Sequence, residues 1–361
     1  MRKSFLTLAL AVAAMVSGAM FTSCEKMASN GVSTQEYVPE GYSTVTVNFA
    51  EPALTKAGVE ATSAEKTINS VYLFVFDKNN KLEAKVSPTI SGDKLSATAS
   101  VTITNGQKTL RVIANAGASF FTSAQEGVTQ LSAFDSATSN LSDNSVSGLV
   151  MIGQATQNVL QDVAVNISME RLASKVCLTK ITRNFTDSDL AALDIKVTDV
   201  WVSNVAGNIT WGKAAVAAAS QSIWYNYNQN EVTIKHADLP ALLYNDPTDF
   251  SLAQGGSREM DIPFYIYSNP ATATTEGGTW SPRVSRLVVQ VTTAGSNTHY
   301  YSCNLPQTEP NKVYNVDLTI KRIGANNPDN PSETGDIDLT VTASISVANW
   351  GSTTNVPVTI E

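Results

Sequence analysis

Strict alternation of apolar and polar residues is the feature that most limits what this chain can form. A short run over residues 43–50 places Val45, Val47 and Phe49 on one side and polar residues on the other. A longer run near the C-terminus has apolar residues at every second position: Ile337, Leu339, Val341, Ala343, Ile345 and Val347. Because successive side chains of a strand point to opposite faces, both runs predict β-strands with one buried face.

Similar strand-like segments, rich in Thr, Val, Ile and Ser and separated by turn residues, fill most of the remaining sequence. This pattern is typical of all-β sandwiches, with short helices expected only in loops. Residues 163–185 contain neither Gly nor Pro, which predicts one long strand, or two in series, that leads from a first domain into a second. We therefore predict an all-β fold with two tandem β-sandwich domains, residues 43–170 and residues 171–323.

The N-terminus has the composition of an export signal. Two basic residues, Arg2 and Lys3, precede an apolar stretch over residues 5–16. That stretch is shorter than the ~20 residues of a transmembrane helix but has the length and the flanking residues of a signal peptide. We therefore predict that residues 1–23 are a lipoprotein signal peptide and that residues 24–42, which are poor in large apolar side chains, form a tether.

A lipidation motif closes this signal. The sequence FTSC ends at Cys24 and matches a bacterial lipobox, in which the cysteine is diacylated and becomes the mature N-terminus, except that Phe21 replaces the usual Leu or Val. A lipid on Cys24 would supply contact with a membrane. The alternative is an ordinary secreted protein that is cut near Ala19 and in which Cys24 is incidental.

Charge excludes two classes of partner. The chain carries 32 acidic and 24 basic side chains, a net charge of −8, and the signal holds none of the acidic ones. This balance argues against nucleic acid as a partner and against adhesion to anionic lipid by charge alone.

No motif predicts catalysis, a metal or another cofactor. The only histidines, His236 and His299, lie in no metal-ligand spacing, and the sequence contains no nucleophile, phosphate-binding or dinucleotide motif. Cys177 and Cys303 have no CxxC partner; they pair in an oxidising compartment or remain buried thiols. Five aromatic residues suit core packing better than a carbohydrate platform: Trp201, Trp211, Trp224, Tyr225 and Tyr227.

Two features of the sequence are not explained by core packing or by an ordinary turn. The first predicted strand is followed by a loop of small residues with a lone basic site, Lys56-Ala57, which a trypsin-like protease could cut. The long terminal strand follows a linker of Asn, Pro, Asp and Ser over residues 324–336. Together they suggest donor-strand assembly, in which a cut after Lys56 releases the first strand and residues 337–361 of another copy fill the gap. The alternative is that the terminal strand completes its own domain.

The order of these segments resembles the fimbrillins, the type V pilins of Bacteroidia. The similar segments are the lipobox, VTVNFAEPALTKAG, INSVYLFVFDKNNKL, MERLASKVCLTKI, NKVYNVDLTIKRI with the linker after it, and VTASISVANW. The resemblance implies transthyretin-like sandwich domains and export to the outer membrane as a lipoprotein. It also implies removal of the first strand by a trypsin-like surface protease, at Lys56-Ala57, and a donor strand within residues 337–361.

The resulting prediction is a stalk subunit of a surface fimbria, without a cofactor and without enzymatic activity. In the family that the chain resembles, anchor subunits keep their first strand and tip subunits lack a usable donor strand, whereas this chain has both a cuttable loop and a long tail. Its predicted partners are other copies of itself and the anchor and tip subunits. The alternative function is a monomeric outer-membrane lipoprotein that binds glycan or a host protein through its loops.

Overall fold

The computed structural model describes residues 40–50, 61–227, 238–274, 281–293, 297–328, 341–350 and 356–359. Strands dominate these residues, so the predicted all-β fold is confirmed. The strands are β1 Tyr42–Ala50, β2 Val71–Phe76, β3 Leu82–Val86, β4 Thr89–Ile90, β5 Ser96–Thr104, β6 Gly106–Ala114, β7 Thr138–Asn140, β8 Met151–Val159, β9 Val163–Arg171, β10 Ser174–Arg183, β11 Ile195–Ser203, β12 Val205–Ala206, β13 Asn208–Thr210, β14 Trp224–Tyr225, β15 Tyr244–Asn245, β16 Phe250–Ser251, β17 Ser257–Ile266, β18 Arg286–Thr293, β19 Thr298–Asn304, β20 Lys312–Ile320, β21 Val341–Asn349 and β22 Val356–Thr359. The α-helices are short: α1 Ser119–Ser123, α2 Leu131–Ser136, α3 Ser188–Ala191 and α4 Pro240–Leu243.

The first half of the chain forms an eight-stranded sheet in the order β3-β2-β6-β8-β9-β1-β5-β4. β8 and β9 pair only between residues 151–153 and 169–171. At this crossing the backbones approach so closely that a Cβ on Gly153 would lie 2.6 Å from Cγ2 of Ile167. Strands on the two sides of the crossing share one hydrophobic core, which includes both Val47 of β1 and Leu73 of β2, so the sheet folds over as a sandwich.

The second half of the chain contributes two five-stranded sheets. One has the order β17-β10-β20-β21-β22, and the other has the order β15-β11-β18-β19 with β16 paired to β11. Their apolar faces meet in a shared core that includes Val176 of β10, Val289 of β18 and Val316 of β20. The predicted crossing segment, residues 163–185, forms two strands in series, with β9 in the first sheet and β10 in the second half.

The hydrophobic core continues between the two halves. Phe74 and Phe134 of the first half belong to the same buried cluster as Trp211 of the second, and the rings of Phe134 and Trp211 are 5.1 Å apart. Residues 38–361 accordingly form one compact unit. The division into two domains near residue 170 therefore stays a proposal.

The residues Lys78-Asn79-Asn80, whose types predict a hairpin turn from the sequence, join β2 to β3 as a hairpin. Oδ1 of Asp77 accepts hydrogen bonds from the backbone N–H groups of Asn79 at 2.8 Å and Lys81 at 2.9 Å. Asn80 has a φ of 60°, which asparagine tolerates better than most residues. The side chain of Asp77 is thus used by the turn, as the hairpin interpretation requires.

Candidate strand-exchange site

β1 is an interior strand of its sheet. It pairs antiparallel with β5 over residues 42–50 and parallel with β9 over residues 45–50. An interior strand exchanges backbone hydrogen bonds with two neighbours, whereas an edge strand has only one. β1 therefore connects β5 to β9, and each of these strands depends on β1 for the pairing of one edge.

The inward face of β1 is fully buried. Val45, Val47 and Phe49 are 0%, 0% and 1% exposed, respectively. On the neighbouring β5, Ala99 lies opposite Val47 and Ala97 lies opposite Phe49. A large side chain on β1 thus lies beside a small one on β5, so the space between the strands is shaped largely by what β1 contributes.

The outward face of β1 carries uncharged polar groups that bond to both neighbours. The side-chain amide of Asn48 donates to Oδ1 of Asn166 on β9 at 3.1 Å, and Oδ1 of Asn48 accepts from the hydroxyl of Thr98 on β5 at 3.2 Å. The hydroxyls of Thr46 and Ser100 lie 3.4 Å apart. These bonds link the side chains of three strands across the solvent-facing surface of the sheet.

The N-terminal end of β1 is also held in register. The hydroxyl of Ser43 donates to Oδ1 of Asn105 at 2.6 Å, and the backbone N–H of Asn105 donates to the carbonyl of Gly41 at 2.9 Å. On the other side, the backbone N–H of Thr44 donates to Oδ1 of Asp162 at 2.7 Å. β1 is therefore bound at its end as well as along its length.

The predicted processing residues do not lie among the described ones. Cys24 of the lipobox and the Lys56-Ala57 site are outside the ranges that the structure describes. β1 ends at Ala50 and the described chain resumes at Ala61. Lipidation and cleavage therefore stay predictions from sequence.

The predicted donor strand lies in the second half of the chain. Ile337 and Leu339 are outside the described residues, whereas the other four predicted positions, Val341, Ala343, Ile345 and Val347, lie on β21. β21 pairs antiparallel with β20 on one side and with β22 on the other. Ile345 is buried in the core of this half and Ser344 is exposed. In the single chain, β21 thus extends its own sheet.

A cavity of about 550 Å³ lies between β6, β8, β9, α2 and the residues after β13. Two ion pairs line it: Arg111 with Asp135 at 3.2 Å, and Lys213 with Glu170. Its charges are therefore balanced. In the described part of the chain, no group of three or more His, Cys, Asp or Glu residues is placed to hold a metal ion. The helices among the described residues include none that is long and apolar enough to cross a membrane.

Two of the five singled-out aromatic residues are core residues. Trp201 and Trp211 are buried, and the ring of Trp211 lies 5.0 Å from that of Phe120 in an edge-on arrangement. Trp224 and Tyr225 are half-buried on β14. Trp201 and Trp211 are thus unavailable as a surface platform for a sugar.

Cys177 and Cys303 are both buried free thiols. Burial, together with the hydrogen bond from Sγ of Cys177 to Asp261 at 3.4 Å, raises the pKa of Cys177 to about 12. Burial alone raises the pKa of Cys303 to about 12. Of the two arrangements that the sequence leaves open, the structure contains the unpaired thiols.

One cluster was not predicted from the sequence. The structure brings Glu65, Arg171, Lys175, Tyr265 and Trp350 together, although they come from four separate parts of the chain. The available signal was the presence of two cations, Arg171 and Lys175, within residues 171–178, where every other residue is Leu, Ala, Ser, Val or Cys. Such cations are buried only when they have partners, but the sequence does not reveal which ones.

The fold defines the class as β-sandwich proteins, and β1, the first strand that the structure describes, occupies an interior position in its sheet. Within that class, residues 43–199 match the family model described as major fimbrial subunit protein (FimA). The matched residues begin at β1 and end in β11. This match confirms the resemblance to the fimbrillins.

Solved structures share the fold. A putative cell adhesion protein from Parabacteroides distasonis aligns with a TM-score of 0.60 and 16% identity, over 87% of this chain and 99% of that chain. One from Bacteroides eggerthii aligns with a TM-score of 0.59 and 18% identity, over 87% and 97%. A fimbrilin (FimA) from Porphyromonas gingivalis aligns with a TM-score of 0.56 and 12% identity, over 85% and 97%. No curated protein sequence matches the chain.

Proposed function

We propose that this chain is a structural subunit of a surface fimbria, in the stalk, and that it polymerises by donor-strand exchange. The observation that carries the proposal is the interior position of β1, whose apolar face is buried between β5 and β9. The match of residues 43–199 to major fimbrial subunit proteins supports the fimbrial role. A structural role in a fimbria also supports the prediction that the chain has no enzymatic activity.

β1 stabilises the sandwich through its side chains and its backbone. Burial of one Val or Phe side chain contributes ~1.5–3 kcal/mol, and each net backbone hydrogen bond contributes ~0.5–1.5 kcal/mol. Loss of β1 removes both contributions and leaves an apolar groove between two unpaired strand edges. A strand that pairs with both edges restores them. When another copy supplies that strand, the contact repeats head to tail without closing, and the product is a filament.

The groove sets the chemistry of its occupant. It needs a strand with apolar residues at alternate positions, uncharged residues between them, and backbone N–H groups on both edges. The predicted donor has this pattern from Leu339 to Val347; the one charged residue between its apolar positions is Asp338, near its start. The last strand, β22, is also apolar at alternate positions, but it contains Pro357, which has no N–H to donate to a neighbour in the interior of a sheet. We therefore assign the donor role to the β21 segment.

Processing completes the proposal. The lipid on Cys24 would hold the exported chain at the outer membrane, and a trypsin-like surface protease would cut at Lys56-Ala57. The cut separates β1 and the tether from the rest of the subunit, which then joins the fimbria. In this scheme residues 43–170 and 171–323 act as the two sandwich domains, since β9 pairs in the first sheet and β10 in the second half, and residues 324–336 link the donor to them.

Limited trypsin treatment tests the proposal. The purified chain with Cys24→Ser, which carries no lipid, is cut at Lys56 and should change from a monomer into a ladder of oligomers on a gel. Lys56→Gln should stay monomeric under the same treatment, whereas Lys78→Gln, on the exposed turn of the hairpin, should form ladders as the parent does. Stable monomers after cleavage confirmed by mass spectrometry would contradict strand exchange and support the monomeric lipoprotein that binds glycan or a host protein.

A peptide identifies the donor without changing the protein. An excess of a synthetic peptide of residues 337–350 should fill the groove after cleavage and stop ladder growth, because a capped groove accepts no further strand. A peptide of the same composition in scrambled order breaks the alternation and should have no effect. Equal inhibition by both peptides, or by neither, would refute the assignment of the donor.

A further inference from the structure

Trp350 closes the C-terminal end of β21 and is almost completely buried, with 1% of its surface exposed. Its ring stacks on Tyr265 with the centroids 5.8 Å apart and an interplanar angle of 22°. The guanidinium carbon of Arg171 lies 4.4 Å from the centroid of the Trp350 ring, and the backbone N–H of Trp350 donates to the carbonyl of Asn311 at 3.0 Å. Release of β21 together with Trp350 would therefore break the contacts of this indole with Arg171 and Tyr265.

Both side chains that hold Trp350 are held in turn by Glu65. The hydroxyl of Tyr265 donates to Oε1 of Glu65 at 2.7 Å, and Nε of Arg171 donates to the backbone carbonyl of Glu65 at 3.1 Å. Nζ of Lys175 lies 2.9 Å from the same Oε1. One short segment around Glu65 thus positions the two residues that contact the indole.

Glu65 lies in the first described segment after the loop that carries the predicted cleavage site. It belongs to a 3₁₀ turn, Ala64–Lys66, and its Oε2 accepts the backbone N–H of Thr62 at 2.7 Å. Ala61, at the start of this segment, is buried. In the intact chain the segment is continuous with β1 through residues 51–60, whereas after a cut at Lys56 it becomes the start of the chain.

The contacts of this cluster depend on one another through Glu65. Burial by itself raises the pKa of Glu65, but hydrogen bonds from Tyr265, Lys175 and the Thr62 amide, with the positive charge of Lys175, outweigh it and lower the pKa, so the carboxylate is ionised. A buried ion pair is strongly destabilised when one partner leaves, because the other charge stays in the interior. Loss of Glu65 from its position therefore affects Lys175 and Tyr265 together, and through Tyr265 the stacking on Trp350.

We propose that Trp350 is a latch that keeps β21 in its own sheet, and that cleavage in the loop before Ala61 weakens the latch through Glu65. This inference rests on the proposed strand exchange and assigns its control: removal of the first strand and release of the donor strand become linked events. An uncut subunit then has an occupied groove and a retained donor, so it does not polymerise during export. A single cleavage would then both empty the groove that β1 fills and loosen the hold on the donor strand.

Hydrogen exchange of the peptide that covers residues 341–350 measures the latch directly. In the uncut protein, Trp350→Leu removes the stacking and the cation–π contact and should speed exchange of this peptide about tenfold, the change expected for contacts of this kind. Glu65→Gln should speed it as well. Glu83→Gln is the matched control, because Glu83 pairs with the buried Lys108 at 2.5 Å in the first sandwich; it should leave exchange of residues 341–350 unchanged.

The wild-type protein gives the same test without a substitution. Exchange of residues 341–350 should be about tenfold faster after trypsin cleavage than before it, at a dilution that keeps the protein monomeric. Unchanged exchange after cleavage, or in the Trp350→Leu protein, would overturn the latch. Ladders that form although exchange is unchanged refute the latch and leave strand exchange standing. Faster exchange without ladders refutes strand exchange and leaves the latch standing.

Discussion

Phe49 on β1 lies directly opposite Ala97 on β5, and both side chains are buried in the core of the first sandwich. The pair shows how much of this core is contributed by β1, the strand that the proposed cleavage would release. A phenyl ring beside a methyl group leaves a large space when the ring is withdrawn. In the intact subunit, the space that a donor strand would enter in the proposed exchange is filled by the subunit's own residues.

Phe49→Ala should destabilise the uncut protein by ~3–5 kcal/mol, the usual cost of removing a buried aromatic ring. Tyr42→Ala is the matched control, because Tyr42 begins the same strand and is 74% exposed; it should change stability by no more than about 0.5 kcal/mol. Urea unfolding followed by fluorescence measures both. Equal effects of the two substitutions would mean that β1 contributes little to the core.

Gly153→Ala should destabilise the crossing of β8 and β9 by ~1–3 kcal/mol, as overpacking of a tight contact does. The added Cβ would lie 2.6 Å from Cγ2 of Ile167 and 2.9 Å from the carbonyl oxygen of Ser168, which is backbone. Gly92→Ala, where no atom lies within 4 Å, should be neutral or slightly stabilising. Thermal unfolding of the two variants separates the cost of the close approach from the general effect of replacing glycine.

Stability should depend on pH through Glu65. Its pKa in the folded protein is below the ordinary value of 4.5, so its ionised form stabilises the fold above that value, and this contribution is lost as the pH falls through the folded pKa. Glu65→Gln should therefore be less stable than the wild type at pH 7, and the difference should shrink from about pH 5 downward. Unfolding in urea at a series of pH values measures it.

Tyr265→Phe refines this pH test. The substitution keeps the ring on Trp350 but removes the hydroxyl that donates to Glu65. The pKa of Glu65 should then lie higher than in the wild type, so the stability that Glu65 contributes in acid should be smaller and its loss complete at a higher pH. A curve that coincides with the wild type would show that this hydrogen bond contributes nothing to the ionised state.

Cys177 and Cys303 should react very slowly with a thiol reagent in the folded protein. Burial raises the pKa of both thiols to about 12, so almost no thiolate is present at pH 8, and both sulfurs are shielded from solvent. With Cys24→Ser in place, the native protein should release almost no reporter thiolate within minutes, and two equivalents should appear in denaturant. No release in denaturant would indicate a disulfide instead.

Several parts of this protein were readable from the sequence because they depend on local pattern. Alternation of apolar residues identified β1 and β21 to within a few positions, because side chains on a strand alternate whatever lies around it. The turn residues after β2 identified the hairpin, because their conformational preferences are local. The free thiols and the interior tryptophans were among the arrangements that composition allowed. Residue patterns also identified the fimbrillin-like order of segments.

Pairing between distant segments was decided only by the tertiary structure. Alternation shows that β1 has a buried face, but it does not show that β1 lies between β5 and β9, because the pattern is the same for edge and interior strands. In the same way, nothing local connects Glu65 to Trp350: they are separated by most of the chain and are linked only through Tyr265 and Arg171, which contact both of them. The residues along the chain determine which surfaces must be buried; which partners bury them depends on the packing of the whole molecule.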